Sequence, residues 1–320
     1  MSDTKKKKKK LKRTLLNIFI LICFTASAFL LYQAVVTKLD EKSNIETYSE
    51  IEAIYENSIR ENPPEVISQE PVLTETPAVS ESPSETPSPQ PTVTATPAPT
   101  PAPSQEITPE PTISPEEKGI PQLDLIDRNE IVTYFNDLLD VNEDIRGYIK
   151  IPGTVISYPV VQGLDNDFYL ERNIYGEKTI SASIFMDYRN NPKDLDDNTI
   201  IYGHNLNSTM FNDLDYFVDE ETRDSYLEAG GVFRFDTAYK VMSWEIFAAY
   251  VIDKDDFNYL VTNFYSDSQH QEFIDRIMEL SFIDNGIEVT PDDKILTLST
   301  CNHWFNDSRT VIHARLINNN

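Results

Sequence analysis

Hydrophobic and polar positions follow several rhythms along the 320 residues, and each predicts a different kind of element. From Leu15 to Val36, 22 residues pass without a charge, enough for one membrane-spanning helix. Over residues 40–61, Ile45, Tyr48, Ile51, Tyr55 and Ile59 recur at spacings of three and four, and Ser43 with Glu46 forms a capping box. That spacing predicts a separate juxtamembrane helix over 37–62, with a short stripe able to pair with a copy of itself. Between Pro63 and Pro121 no apolar period survives. The pattern resumes near Gln122, where Asp127 and Glu130 look like a cap and Ile131, Phe135, Leu138 and Leu139 like the buried face of a helix. A second short helix is expected over Asn142–Tyr148.

Beyond that point the period falls to two. IKIPGTVISYPVVQG, SASIFMDY, NTIIYGH, VFRFD and KVMSWEIFAAYVID are short β-rich runs divided by Pro, Gly and Asn. One helix interrupts them, capped by Ser266 and Gln269, with Phe273, Ile277 and Leu280 on one face. The last rhythm is KILTLSTCNHWFNDSRTVIHARL. Ile295, Thr297 and Ser299 alternate with Leu296 and Leu298, a polar turn NHWFND follows, and TVIHARL alternates again. A hairpin of this form brings Cys301, at the end of one strand, beside Arg309, at the start of the next. Seven or eight short strands with few helices predict a mainly β fold, either a closed barrel or a sandwich.

Composition sharpens this outline. Of 20 prolines, 16 lie between Pro63 and Pro121. A segment with proline at every second or third position stays extended and buries no core. It reads as a stem, 63–121, that spaces the remainder from a membrane by up to roughly 160 Å at about 3.1 Å per residue. The net charge is −26, yet eight of the 27 Lys and Arg fall in residues 1–13. A basic tail before an apolar run stays cytoplasmic, so the chain divides into a tail (1–13), an anchor (14–36), the juxtamembrane helix, the stem and a folded domain (122–320). A cleaved signal peptide is the competing reading, because Ala26-Ser27-Ala28 resembles a cleavage site. Eight more mostly apolar residues follow it, which favours the anchor. The acidic domain is a poor binder of nucleic acid, which demands clustered Lys and Arg.

Chemistry centres on the cysteines. Cys23 lies in the apolar run, so Cys301 is alone in the folded part and no disulfide explains it. A thiol beside a permanent guanidinium has its anion favoured. Four histidines could serve it. His204 ends the strand NTIIYGH and faces a loop, His303 is two residues from Cys301, His270 opens a helix and reads as solvated, and His313 sits inside a strand. Spacing alone leaves the partner open between His204 and His303. Each feature also has a plainer reading: a small buried thiol, a hydrogen-bonded histidine, an exposed arginine.

TLSTC, Arg309 eight residues on, and an upstream YGH together resemble the sortase family of cell-surface cysteine transpeptidases. The likeness runs from GYIKIPGTVISYPVVQGLDNDFYL through SIFMDYRN and TIIYGHN to LTLSTC and is greatest to class B members. It implies a sortase-type barrel of seven to eight strands with two N-terminal helices and one inserted helix, behind a transmembrane helix and a disordered Pro-rich stem. It places the nucleophile on Cys301, the histidine on His204 and the arginine on Arg309. Asn166, Leu170, Tyr259, Leu260, Ser299 and Thr300 then fall on substrate-binding positions. Tyr202 matches the tyrosine before the histidine and reads as packing.

The implied reaction is cleavage of a C-terminal sorting signal at a Thr-Gly bond through a Cys301 thioester. The acyl group passes to an amine of a peptidoglycan precursor in a Gram-positive cell wall. Partners are therefore surface proteins bearing sorting signals, that amine, and membrane lipid around the N-terminal helix. No cofactor or metal is implied, and the DLDD run at 194–197 is read as a solvated face. Alternatives are a hydrolase of the same fold, a pilus-polymerising sortase, and a non-catalytic surface module.

Overall fold

The structure is a computed structural model describing residues 2–64, 126–206, 208–253, 255–301 and 307–319, without the side chains of 2–13, 301, 318 and 319. Most of the expected stem, and the turn carrying His303, Trp304 and Phe305, lie outside the described residues.

Helix α1 runs unbroken over Ser2–Glu61. Residues 2–61 contain neither Gly nor Pro, and the first breaker is Pro63. Nothing therefore ends a helix at Val36 or restarts one at Ser43, as the capping pattern suggested. Its Thr14–Glu61 portion is long and apolar enough to cross a membrane, with a window of mean hydropathy 2.3. The stripe expected near residues 45–59 is real but rotated slightly. Asn44, Tyr48, Ile51, Tyr55 and Ser58 are buried, while Ile45 is exposed. The face that looked free to pair with a second copy is covered by the barrel. Tyr55 stacks on Tyr148 with ring centroids 3.7 Å apart, and Tyr48, Ile51 and Tyr55 each gain about 2 kcal/mol from burial.

Helix α2, Phe135–Val141, buries Phe135, Leu138 and Leu139. The second helix expected over Asn142–Tyr148 is instead the entry to a strand. Asn142 ends α2: its side chain accepts from Asp144 N at 2.8 Å and donates to Ile174 O at 2.6 Å. Gly147, a poor helix former, then sits inside β1, Ile145–Lys150, which is buried over most of its length. Next come β2, Ser157–Val161, β3, Ile184–Met186, and β4, Asn198–Tyr202. A two-stranded hairpin, β5 Asn205–Leu206 with β6 Thr209–Met210, leads into a 3-10 turn at Asn212–Phe217 and helix α3, Arg223–Gly230. The chain finishes with β7, Val232–Thr237, β8, Met242–Asp253, helix α4, Asp267–Leu280, β9, Ile295–Cys301, and β10, Ser308–Asn319.

Eight strands close into a barrel in the order β1-β2-β3-β4-β9-β10-β8-β7. Closure pairs both edges of every strand of the barrel with a neighbour, so among the described residues the barrel offers no free edge strand. Leu296 and Leu298 of β9 belong to the main core, together with Tyr148, Ile184 and Phe235. Ile295 of the same strand joins a second core with Phe247, Tyr250, Phe273 and Ile277, which α4 covers. Ser266 caps α4 as expected, accepting from Gln269 N at 3.3 Å. β4 and β9 run parallel, with Tyr202 opposite Ser299, so their C-terminal ends emerge together at one end of the barrel. β10 is antiparallel to β9 and begins at that same end.

Candidate active site

Register assembles the site. Arg309 of β10 lies directly opposite Cys301 of β9, the juxtaposition the hairpin pattern anticipated. His204 lies two residues beyond Tyr202, as Cys301 lies two beyond Ser299, so strand pairing puts all three at one barrel end. The backbone continues this pairing past β4: Gly203 N donates to Ser299 O at 3.2 Å. A cleft of about 410 Å³ opens there. Its lining includes His204, Arg309, Asn166, Leu170, Tyr259, Leu260, Ser299 and Thr300, together with Tyr202 and Phe185.

Each of these side chains has a definite anchor. His204 Nε2 lies 2.8 Å from Leu170 O. A carbonyl only accepts, so Nε2 is the donor in this contact. His204 O in turn accepts from Phe211 N at 2.9 Å. Gly203 permits the close approach: a Cβ there would lie 2.4 Å from Ile184 Cδ1 and 2.7 Å from Phe211 Cγ. Arg309 is partly exposed and donates to Ser308 O at 2.9 Å, which leaves other guanidinium N–H groups to point elsewhere. Tyr259 and Ser299 share a hydroxyl–hydroxyl hydrogen bond of 3.0 Å. Thr300 Oγ1 is buried without a hydrogen-bond partner among the described residues.

Asn166 does more than line a wall. Its Nδ2 donates to Asp187 Oδ2 at 3.0 Å and its Oδ1 accepts from Tyr188 N at 3.1 Å. Asp187 is the hub that sequence reasoning missed. Its carboxylate has no exposed surface and also accepts from Tyr202 OH at 2.8 Å and from Arg189 Nε and Nη2 at 2.8 Å each. Arg189 Nη2 continues to Leu260 O at 3.0 Å. Three walls of the cleft, carrying Asn166, Tyr202 and Leu260, therefore converge on one ion pair. Burial pushes the Asp187 carboxyl up, but the hydrogen bonds from Arg189, Tyr202 and Asn166 outweigh it and hold the group below its ordinary value. Tyr202 is pushed up, first by burial and then by the Asp187 charge. Asp and Arg two apart in SIFMDYRN were the available signal; they sit in the turn that follows β3, where Asn190 N donates to Asp187 O at 3.0 Å. Asp215 is a second omission. It accepts from Asn205 Nδ2 at 2.7 Å and from Thr310 Oγ1 at 2.5 Å, tying the hairpin after His204 to the strand of Arg309. No local pattern marked it.

The other described histidines are structural. His313 is fully buried between Tyr250 OH and Thr297 Oγ1, at 2.9 Å each, and burial pushes it down to about 3. His270, expected in solvent, is buried, stacks on Phe264 at 4.3 Å and contacts Pro291 O at 3.1 Å. A helix start does not guarantee exposure when the preceding loop folds back over it. Among the described residues no group of three or more His, Cys, Asp or Glu is gathered for a metal ion. In the DLDD run, Asp196 accepts from Asn190 Nδ2 at 2.7 Å and Asp197 pairs with Lys294 at 3.1 Å.

Residues 149–317 match the Sortase domain family model. Sortase B of Staphylococcus aureus (strain NCTC 8325 / PS 47) is 38% identical over 186 residues, covering 57% of this chain and 74% of that protein. Sortase B of Listeria monocytogenes is 36% identical over 191 residues, covering 59% and 76%. The Staphylococcus aureus sortase B–substrate complex superposes with a TM-score of 0.54 at 36% identity, over 59% of this chain and 87% of that one. Clostridium perfringens sortase B gives 0.53 at 35% identity, over 57% and 99%. With an eight-stranded barrel, a cysteine and an arginine in register, and these likenesses, the chain belongs to the sortase family of cysteine transpeptidases and, within it, to class B.

Proposed function

We propose that this chain is a single-pass membrane transpeptidase that cleaves a C-terminal sorting signal at a Thr-Gly bond and transfers the new carboxyl group to an amine of a peptidoglycan precursor. The observation that carries the reading is the cleft at the barrel end, to which His204 and Arg309 both contribute and beside which Cys301 lies in register with Arg309. Apolar Leu170 and Leu260 suit the side chains of an extended peptide, and Arg309 suits its carbonyl oxygens. The uncharged run Leu15–Val36 behind a basic tail supports an anchor with the N-terminus inside and the barrel outside.

In this mechanism the Cys301 thiolate adds to the threonine carbonyl carbon. Arg309 donates to the oxygen as it gains charge, a contribution worth about 3 kcal/mol for a preorganised donor. The C–N bond to glycine then breaks, and its electron pair takes a proton from the His204 imidazolium. His204, now neutral, accepts a proton from the incoming amine, which attacks the thioester and expels the thiolate. Asn166, Tyr259, Ser299 and Thr300 hold the peptide.

The test is mass spectrometry of the purified protein given a Thr-Gly sorting peptide, with and without an amine acceptor. Expected are an acyl adduct on Cys301 and an amide product that grows with amine concentration. Product partitioning that ignores the amine would replace transpeptidation by hydrolysis. An intact peptide would remove this sorting motif from the proposal.

A further inference from the structure

The path of α1 fixes the distance between a bilayer and the cleft. The uncharged run ends at Val36, and Asp40 already touches the barrel: its Oδ2 accepts from Ile180 N at 3.1 Å and from Ser181 N at 3.3 Å. Four helical steps separate the two points, about 6 Å at roughly 1.5 Å each. Ile180 and Ser181 lead into the start of β3, and Phe185 of β3 pairs with Tyr202 at the end of β4. They therefore lie at the barrel end that carries His204 and Arg309. Leu206, two residues past His204, faces Thr37 and Asp40 across a pocket of about 40 Å³.

From Asp40 onward the helix is strapped to the barrel along its length, crossing from the start of β3 over the β1–β2 turn to β7. Tyr48 OH donates to Ala182 O at 3.2 Å. Glu52 accepts from Ser157 Oγ at 2.7 Å and Lys150 Nζ at 3.2 Å. Tyr55 OH donates to the enclosed Asp236 carboxylate at 3.0 Å. With no Gly or Pro before Pro63, the helix has no built-in kink where the barrel could swing free.

Resting on the reading that residues 14–36 span the membrane, we propose that the bilayer surface is the docking partner of the active-site end of the barrel. The barrel sits with its β3–β4 end against the lipid headgroups and the mouth of the cleft within roughly 15 Å of them. The exposed apolar side chains of Leu39 and Ile180 lie at this end. A cleft held there meets the substrates of the proposed function at the membrane surface. The proline-rich segment then has no part in the reach. It joins α1 to α2, and both helices pack on the same barrel, α1 through Tyr55 and α2 through Tyr134 at its N-cap, whose hydroxyl shares Asp236 at 2.8 Å. Its contour length does not enter the distance from membrane to cleft.

The test uses the full chain in lipid nanodiscs containing phosphatidylglycerol. Spin labels are placed at Ile180→Cys and, at the far end of the barrel before β9, at Asp292→Cys, with Cys23→Ser and Cys301→Ala removing the native thiols. A headgroup-chelated nickel lipid should relax the label at 180 severalfold more than the label at 292. In the active protein, a flexible insert of roughly ten residues after Thr37 should cut conversion of a bilayer-embedded substrate about tenfold. It should leave a soluble sorting peptide unaffected, and replacing residues 67–121 by a short Gly/Ser linker should change neither. A chain not retained by the discs overturns the anchoring reading, and this inference with it. A retained chain with equal relaxation at both labels, or one slowed by the linker and indifferent to the insert, overturns this inference alone.

Discussion

Replacing Asp187 by Asn keeps the size of the side chain and removes its charge. The wild-type carboxylate is closed to solvent and accepts four side-chain hydrogen bonds: two from Arg189, one from Tyr202 and one from Asn166. Asn offers one oxygen and turns an NH₂ group toward donors. Breaking a fully buried pair costs about 3–5 kcal/mol. Arg189 is 40% exposed on its side chain and can recover part of its hydration, so the expected loss is about 2–3 kcal/mol. Because Asn166, Tyr202 and Leu260 lose their common support, KM for a sorting peptide should rise severalfold. kcat should fall less, since His204 and Arg309 keep their own anchors. Urea titration and steady-state kinetics read the two effects separately. The linkage sign adds a control. The folded carboxyl is held below its ordinary value, so its stabilisation is complete above pH ~4 and lost as pH falls through the folded value. That acid-side loss should shrink in D187N. An unchanged urea midpoint with an unchanged KM would refute the hub argument.

Three further outcomes follow from the same geometry. Arg309→Lys keeps a charge but loses the planar fork, and kcat/KM should drop about 10²–10³-fold, mostly in kcat; activity within twofold of wild type would take the arginine out of the chemistry. Gly203→Ala forces a Cβ to 2.4 Å from Ile184 and 2.7 Å from Phe211, so it should cost about 1–3 kcal/mol of stability and displace His204, seen as at least a tenfold activity loss; a fully active, equally stable variant would contradict the packing. His313, held neutral with its value pushed down to about 3, stabilises the fold fully above pH ~6.5 and progressively less as pH falls toward 3, so between pH 7.5 and 5 the wild type should lose about 2 kcal/mol that His313→Gln does not. Parallel urea curves for the two proteins at both pH values would show that the site titrates normally.

Period and chain order were enough to place β2 to β4 and β7 to β10, the α4 cap, the apolar run near the start and the order of Cys301 and Arg309. Each of these rests on interactions within a few residues, and alternation in β9 and β10 also decides which residue of each strand can face the other. The family motifs then singled out His204 over His303. The Asn142–Tyr148 helix failed because a side-chain cap and Gly147 outweighed an apolar spacing too short to discriminate. His270 was misplaced because its burial comes from Phe264 and Pro291, which local sequence does not reveal as neighbours. The Asp187–Arg189 pair is local, but its links to Asn166 and Leu260 span 21 and 71 positions and the Asp215 tie to Thr310 spans 95, and no short window of sequence shows those partners as neighbours. The same holds for α1. Its stripe is legible, but an amphipathic face states only that something must cover it, not what. Closure of the barrel supplied the cover: Tyr148, Asp236 and Ser183 come together only after eight strands have paired, and only then does α1 find the surface on which Tyr48 and Tyr55 are buried.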